Sequence, residues 1–285
     1  MNQPKEYAES NDLTYRDVDD LIKEFPEEFK KMKGRIIDVG CGPGNITKGL
    51  LLPNVEKDAV IVVQESEIHF YLGADLCAAM VEYAKQHHEV KHRLSYIQLD
   101  IQTPELPENL IGQFDNAVSF YCLNWCRNTQ LTMQNFYKLL RPGGKAIILM
   151  ISHHMIFDVY AEQAKDAQFS TYMQDSNEIF PPHHGHPNAE EMLRKDLNEV
   201  GFKIQYCSNR WKSFTFRSWN ALIDFMMSVN PFVKRMPDDL QEDYREDVEK
   251  RLKIGLPKKR SGNSDENSAD FSISLLTAVF EKPLN

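Results

Sequence analysis

At 285 residues the chain holds one large domain or two modest ones, and its 42% hydrophobic content supports a real core. Net charge is −9, from 33 basic and 42 acidic residues, which argues against nucleic acid as the main partner because phosphate binding needs concentrated Lys and Arg. The five cysteines lack paired C-x-x-C spacing, residues from Lys5 onward lack a signal-peptide core, and no run approaches the ~18 apolar residues of a membrane span, so a reduced, cytoplasmic protein is expected, with neither disulfides nor membrane insertion.

Met1–Lys33 precedes the first core strand. Tyr7, Leu13, Val18, Leu21, Ile22, Phe25 and Phe29 recur at roughly helical spacing. They predict one or two amphipathic helices, with Asn11 or Asp12 as a cap. Such a leader can cover a sheet edge or close over a ligand. Arg35–Gly44 then reads RIIDVGCGPG: a short apolar strand, a turn carrying Gly40, Gly42 and Gly44, and a helix over Asn45–Leu52. Strand, glycine turn and helix expose backbone to a nucleotide at the carboxyl end of a sheet. The G-x-G-x-G spacing is neither the dinucleotide fingerprint nor a phosphate-binding loop, and Lys48 is misplaced for the latter. A nucleoside without a pyrophosphate fits, which points to S-adenosylmethionine. The hhDhGxGxG pattern resembles the first motif of class I S-adenosylmethionine-dependent methyltransferases. It makes Asp38, Gly40, Cys41, Gly42 and Gly44 the first part of the expected cofactor site.

Ala59–Val63 and Ile68–Leu72 both read as strands, and one of them should end in the acid that binds the ribose diol. The candidates are Glu65 and Asp75. Glu65 lies closer to the usual spacing of about 20 residues. Asp75 is followed at once by an amphipathic helix with Cys77, Met80, Val81, Ala84 and His88 on one face, as the core topology requires. Asp75 is therefore preferred, with Leu76 beside it. Leu94–Leu99 is the third strand, ending at Asp100 and Ile101. In this fold the acid accepts from the adenine amino group and the apolar residue stacks on the ring. Phe114–Cys122 is the fourth strand, with Asp115 near its start, and Ser119 near its end completes the cofactor set.

Asn128–Leu140 reads as a helix with Leu131, Phe136, Leu139 and Leu140 inward, Arg141–Gly144 as a tight turn, and Lys145–Ile151 as a strand buried on both faces. The passage LLRPGGKAIIL resembles the helix–turn–strand element late in class I methyltransferases. Helices follow at Met155–Ala167, Ala189–Val200 (capped by Asn188, ended by Gly201), Ser218–Val229 and Asp238–Lys253. Tyr172–Pro187 is a loop rich in aromatics, prolines and histidines. Lys203–Trp211 and Phe271–Phe280 are strands, and Lys258-Lys259-Arg260 and Gly262–Ala269 read as loops. A single domain over 1–285 is expected. Its core covers about 34–152, 188–211 and 270–282, its leader 1–33, and its cap insertions about 153–187 and 212–262.

Ser119–Trp125, SFYCLNW, leaves the fourth strand where a substrate meets the cofactor. The Trp125 indole has one donor and Asn124 both donor and acceptor groups, so together they can hold a substrate oxygen. His183-His184-x-His186 is not expected to bind a metal, because adjacent histidines seldom point the same way and no carboxylate is evident nearby. Cys122 and Cys126 lack a fixed histidine to activate them.

SFYCLNW, YAESNDLTYRD near the N-terminus, STYMQD at Ser170–Asp175 and NPFVKRMPDDL at Asn230–Leu240 together resemble the insect juvenile hormone acid O-methyltransferase family over most of the chain. The resemblance implies methyl transfer from S-adenosylmethionine to the carboxylate of farnesoic acid or juvenile hormone acid. It also implies a Gln on the first helix and a Trp after the fourth strand holding that carboxylate. Trp125 matches the Trp. Thr14 stands at the Gln position, and Asn124 where a His usually precedes the Trp. Trp125, Thr14 and Asn124 are thus the expected catalytic set. A carboxylate with pKa near ~4–5 needs no general base at pH 7. Alignment and exclusion of water carry such a reaction. Phe157, Tyr160, Phe169 and Tyr172 are candidates to line the pocket for a lipophilic chain. The expected fold is the class I methyltransferase, an α/β Rossmann-like doubly wound sheet, mostly parallel with an antiparallel last strand, plus a helical cap. The expected partner is a small lipophilic acid, with homodimerisation left open.

Overall fold

The computed structural model describes residues 4–56, 71–255 and 268–284. Glu65, the strand reading at Ala59–Val63 and the basic run Lys258-Lys259-Arg260 lie outside the described residues, as do parts of Ile68–Leu72 and Gly262–Ala269.

Among the described residues seven strands form one sheet: β1 (Ile36–Val39), β2 (Tyr71–Asp75), β3 (Leu94–Gln98), β4 (Phe114–Phe120), β5 (Leu140–His154), β6 (Lys203–Phe216) and β7 (Ala269–Glu281). Their order is β3-β2-β1-β4-β5-β7-β6. β1 to β5 run parallel, and β7 lies antiparallel between β5 and β6. This is the class I methyltransferase arrangement expected from the sequence. The strand order reverses beside β1, so a crevice opens at the carboxyl ends of β1 and β4.

Every residue of β1 is buried, as a central parallel strand covered on both faces must be. Successive side chains point to opposite faces. Ile36 joins the core under the leader and cap, and Ile37 the core under α6 (Thr129–Leu139) and α9 (Ala189–Val200). The leader forms three helices, α1 (Pro4–Ser10), α2 (Asp12–Glu24) and α3 (Pro26–Lys30). Leu13, Thr14, Asp17, Val18, Leu21 and Ile22 make one buried stripe along α2. Ion pairs Lys145–Glu28 (3.0 Å), Arg210–Glu24 (2.7 Å) and Lys212–Asp20 (2.9 Å) tie the leader to β5 and β6. The cap is built from α7 (Met155–Gln163), α8 (Ser176–Ile179), α10 (Trp219–Ser228) and α11 (Asp238–Gly255). No helix among the described residues is long and apolar enough to cross a membrane.

Several elements differ from expectation. The helix after the glycine turn includes a π-helical stretch, Thr47–Leu51, before α4 (Leu52–Asn54). Arg141–Gly144, expected as a tight turn between helix and strand, is a bulge within β5, which starts at Leu140. Phe114 pairs with Leu140 and Asn116 with Lys145, so the four residues loop out. They are held there by Gly143 N–H donating to the Lys282 carbonyl and Lys282 N–H to that of Gly144, each at 2.8 Å. β6 continues to Phe216 because β7 pairs with it as far as Ala269. Asn188 precedes α9 without a side-chain cap bond, while Gly201, at φ 98°, ends it as expected.

Candidate active site

The glycine turn is shaped by its neighbours. Gly40 has φ 79°, and a Cβ there would lie 2.2 Å from the Cys122 side chain. Only glycine meets both demands. Gly42, at φ 56°, donates its N–H to Asp75 Oδ2 at 3.0 Å, and Cys77 N–H donates to Asp75 Oδ1 at 2.8 Å. Asp75 therefore joins the glycine turn to the start of α5 (Ala78–His88). Burial raises its pKa, and the amides of Cys77 and Gly42 oppose that rise. Each oxygen keeps acceptor capacity for a hydroxyl.

A cleft of about 250 Å³ lies above this junction. Of the expected cofactor residues, Gly40, Gly42, Asp75, Leu76, Asp100 and Ile101 line it, together with Met80, Phe120, Tyr121 and Trp125. Leu76 is 61% exposed, a large apolar side chain mostly open to the cleft mouth. Asp100 Oδ1 accepts the Gln102 N–H at 2.8 Å, holding the turn, while the residue still borders the cleft.

Four expected cofactor residues lie behind the lining. Asp38 is buried and accepts the Thr47 hydroxyl at 2.6 Å, and burial pushes its pKa up to about 7. Cys41 is buried in the core, and Gly44 packs on the Tyr96 hydroxyl. The Ser119 hydroxyl donates to the Val39 carbonyl at 2.8 Å, joining β4 to β1. Within the structure these residues shape the cleft rather than face it.

A second pocket adjoins the first and shares Tyr7, Tyr121 and Trp125 with it. Its walls are mainly apolar: Leu13, Ile151, Ile156, Phe157, Phe225 and Val229. By the measure that gives the cleft about 250 Å³, this pocket holds about 60 Å³. All three expected catalytic residues border it. Asn124 is buried, its amide nitrogen donating to the Tyr121 carbonyl at 3.1 Å and its oxygen accepting the Trp125 indole N–H at 2.9 Å. Thr14 is buried and hydrogen-bonded to the Tyr7 phenol. Burial first, then the nearby Asp75 carboxylate, pushes that phenol up to about 12. Of the four cap aromatics, Phe157 and Tyr160 line the pocket. Phe169 packs on Tyr244 at 5.1 Å, and neither it nor Tyr172 borders the pocket.

Sequence reasoning passed over Tyr121 and His154. Tyr121 has φ 56°, a strained backbone for a non-glycine residue. It is held by its N–H to the Leu149 carbonyl (2.8 Å) and its hydroxyl to buried Asp17 (2.6 Å). Its place inside SFYCLNW was the available signal. His154, at the end of β5, lines the apolar pocket, and no sequence pattern marks it.

The expectation that no carboxylate lies near the loop histidines needs correction. His184 Nε2 sits 3.0 Å from Asp158, and His153 Nε2 3.7 Å from it. The ligand atoms of the three residues lie within 4.8 Å of one another. His183 is instead buried, 3.8 Å from Asp196. The Asp158 contact draws 183–186 onto α7, which a reading of local spacing does not reveal.

A methyltransferase domain model matches residues 37–146. The chain is 31% identical over 251 residues to the juvenile hormone acid O-methyltransferase of Drosophila melanogaster, covering 87% of this chain and 81% of that protein. It is 28% identical over 249 residues to the enzyme of the same name from Bombyx mori, covering 87% and 84%. Among solved structures, a methyltransferase candidate from Bacillus halodurans C-125 superposes with a TM-score of 0.55 at 15% identity, over 90% of this chain and 97% of that one. That last likeness concerns the fold alone.

Proposed function

The chain belongs to the juvenile hormone acid O-methyltransferase family, and from that premise we propose that it methylates the carboxylate of a lipophilic acid such as farnesoic acid or juvenile hormone acid. It is an S-adenosylmethionine-dependent O-methyltransferase. One observation supports the finer reading above others: the cleft that holds Asp75 and Asp100 and the apolar pocket share a wall made of Tyr7, Tyr121 and Trp125.

The residues present fit the cofactor. Asp75 is fixed by two backbone amides and keeps acceptor capacity for a ribose diol. Leu76 offers a largely exposed apolar side chain, and Gly42 leaves the backbone open to close approach. Bound there, S-adenosylmethionine supplies an electrophilic sulfonium methyl group. Asp100 and Ile101 are the proposed adenine contacts. Asp38, Cys41, Gly44 and Ser119 act behind them by fixing the turn and the strand ends.

The substrate carboxylate is already ionised at neutral pH and needs no base. Trp125 is proposed to orient it through the indole N–H, which must first leave Asn124. Thr14 stands on the same pocket wall. Phe157, Phe225 and their neighbours exclude water and bury the chain, at about 25 cal/mol per Å² of apolar area. The pocket is narrow, so a long chain enters as the walls part. Mass spectrometry after incubation with S-adenosylmethionine and a panel of farnesoid, juvenoid and straight-chain acids tests the reading. A methyl ester of the farnesoid acids is expected. Bound S-adenosylhomocysteine with no ester from any acid overturns it.

A further inference from the structure

His154 closes β5 and stands at the N-cap of α7. Its Nδ1 accepts the Ile156 N–H at 3.0 Å. In the neutral ring the proton therefore sits on Nε2, which makes Nε2 a donor. The side chain is 4% exposed and borders the apolar pocket. Phe271 packs on it at 4.6 Å and Phe157 at 5.7 Å. Trp125 lies edge-on to the same Phe157 ring at 6.0 Å. Imidazole and indole thus flank one aromatic wall.

Most other donors of the pocket are engaged. Tyr121 gives its hydroxyl to Asp17, and Asn11 its amide to Asn45. The Thr14 hydroxyl donates to the Tyr7 oxygen, and Asn124 gives its nitrogen to the Tyr121 carbonyl. The Tyr160 hydroxyl is unpartnered but buried, on the side of Asn230 and Tyr244. For His154 Nε2, no protein acceptor appears among the described residues. A carboxylate has two oxygens, and one indole N–H satisfies only one of them.

We infer that His154 Nε2–H is a second donor to the substrate carboxylate, forming a two-point clamp with the Trp125 indole. The inference rests on the proposed carboxyl methylation. Its chemistry suits that reaction. Nδ1 accepts the Ile156 N–H and so carries no proton, which leaves the buried ring neutral. A neutral donor orients a carboxylate without drawing off the charge that makes it a nucleophile. A cation in the same place would neutralise that charge.

Calorimetry on the S-adenosylhomocysteine-loaded protein tests this, with farnesoic acid and its methyl ester as paired probes. His154→Leu should weaken acid binding about tenfold, as loss of one hydrogen bond to a charged group does. It should leave the ester and the cofactor product bound as before, and His154→Gln, which keeps an N–H, should restore most of the acid affinity. A merely structural role would weaken acid and ester together. Equal loss for both ligands, or unchanged acid affinity in His154→Leu, overturns the inference. No acid binding by the wild type overturns the carboxyl reading as well. Should His154→Leu fail to bind S-adenosylhomocysteine, ¹⁵N-histidine spectra of the wild type decide: the His154 Nε2 resonance must shift with acid and not with ester, and an unmoved resonance overturns the clamp.

Discussion

The Asn124 side-chain oxygen accepts the Trp125 indole N–H at 2.9 Å, so the residue before the tryptophan occupies its single donor. A substrate carboxylate and Asn124 compete for one proton. Two substitutions separate their roles. Trp125→Phe keeps an aromatic wall and removes the donor; ester formation should fall about tenfold or more while S-adenosylhomocysteine affinity stays within twofold. Asn124→Leu frees the indole and leaves the Tyr121 carbonyl without its partner. KM for the acid should fall, and the melting temperature should fall by a few degrees, as expected for about 1 kcal/mol. Unchanged turnover in Trp125→Phe would reduce Trp125 to packing.

Thr14 faces the pocket from α2 with its hydroxyl committed to Tyr7. Thr14→Gln adds a longer side chain with its own N–H donors. Steady-state kinetics with farnesoic acid should show a lower KM. A higher KM would mean that the pocket is shaped for a different acid.

Asp75 holds two backbone amides and is the proposed ribose acceptor. Asp75→Asn turns an NH₂ group toward the N–H of Gly42 or Cys77, where donor meets donor. Calorimetry should show S-adenosylhomocysteine affinity lowered about 30-fold or more, from lost charge-assisted bonds of about 1.5–3 kcal/mol. Undiminished affinity would remove Asp75 from the site.

Asp38 supplies a pH signature. Its pKa rises to about 7 through burial, above the ordinary carboxylate value of 3.8. Between those values the folded protein holds a proton that the unfolded chain has released. The contribution is complete below about pH 4 and is lost as pH rises through about 7, at about 1.4 kcal/mol per pH unit. Asp38→Asn should remove this slope while still accepting from Thr47. Urea denaturation of both proteins from pH 4.5 to 8 should show stabilities that diverge with pH, the variant being the more stable at pH 8. Parallel curves would place the buried proton elsewhere.

The core was legible because its signals are local. The apolar run before Gly40 and the helix straight after Asp75 both follow from residues close in sequence, and the sheet fixes them where expected. The extension of β6 to Phe216 was less legible. Its end mixes the polar Lys212, Ser213 and Thr215 with Phe214 and Phe216 on an edge strand, and long-range partners, β7 beside it and the leader through Lys212–Asp20, order it. The pocket was legible in part. Trp125 and Phe157 belong to recognisable segments, but Tyr121 draws its strained conformation from Leu149 and Asp17, 28 and 104 residues away. His154 enters the pocket through the end of β5, and Asp158 reaches His184 across 26 residues. Long-range packing of this kind leaves no periodicity behind.

Central to all of this is that the nucleoside cleft and the acid pocket meet at Trp125. A crystal structure with S-adenosylhomocysteine and farnesoic acid tests it most directly. The predicted result has the ribose hydroxyls on Asp75 and a carboxylate oxygen within about 3.2 Å of Trp125 Nε1, with the indole released from Asn124. An indole still bound to Asn124, with the acid seated away from the shared wall, would contradict it.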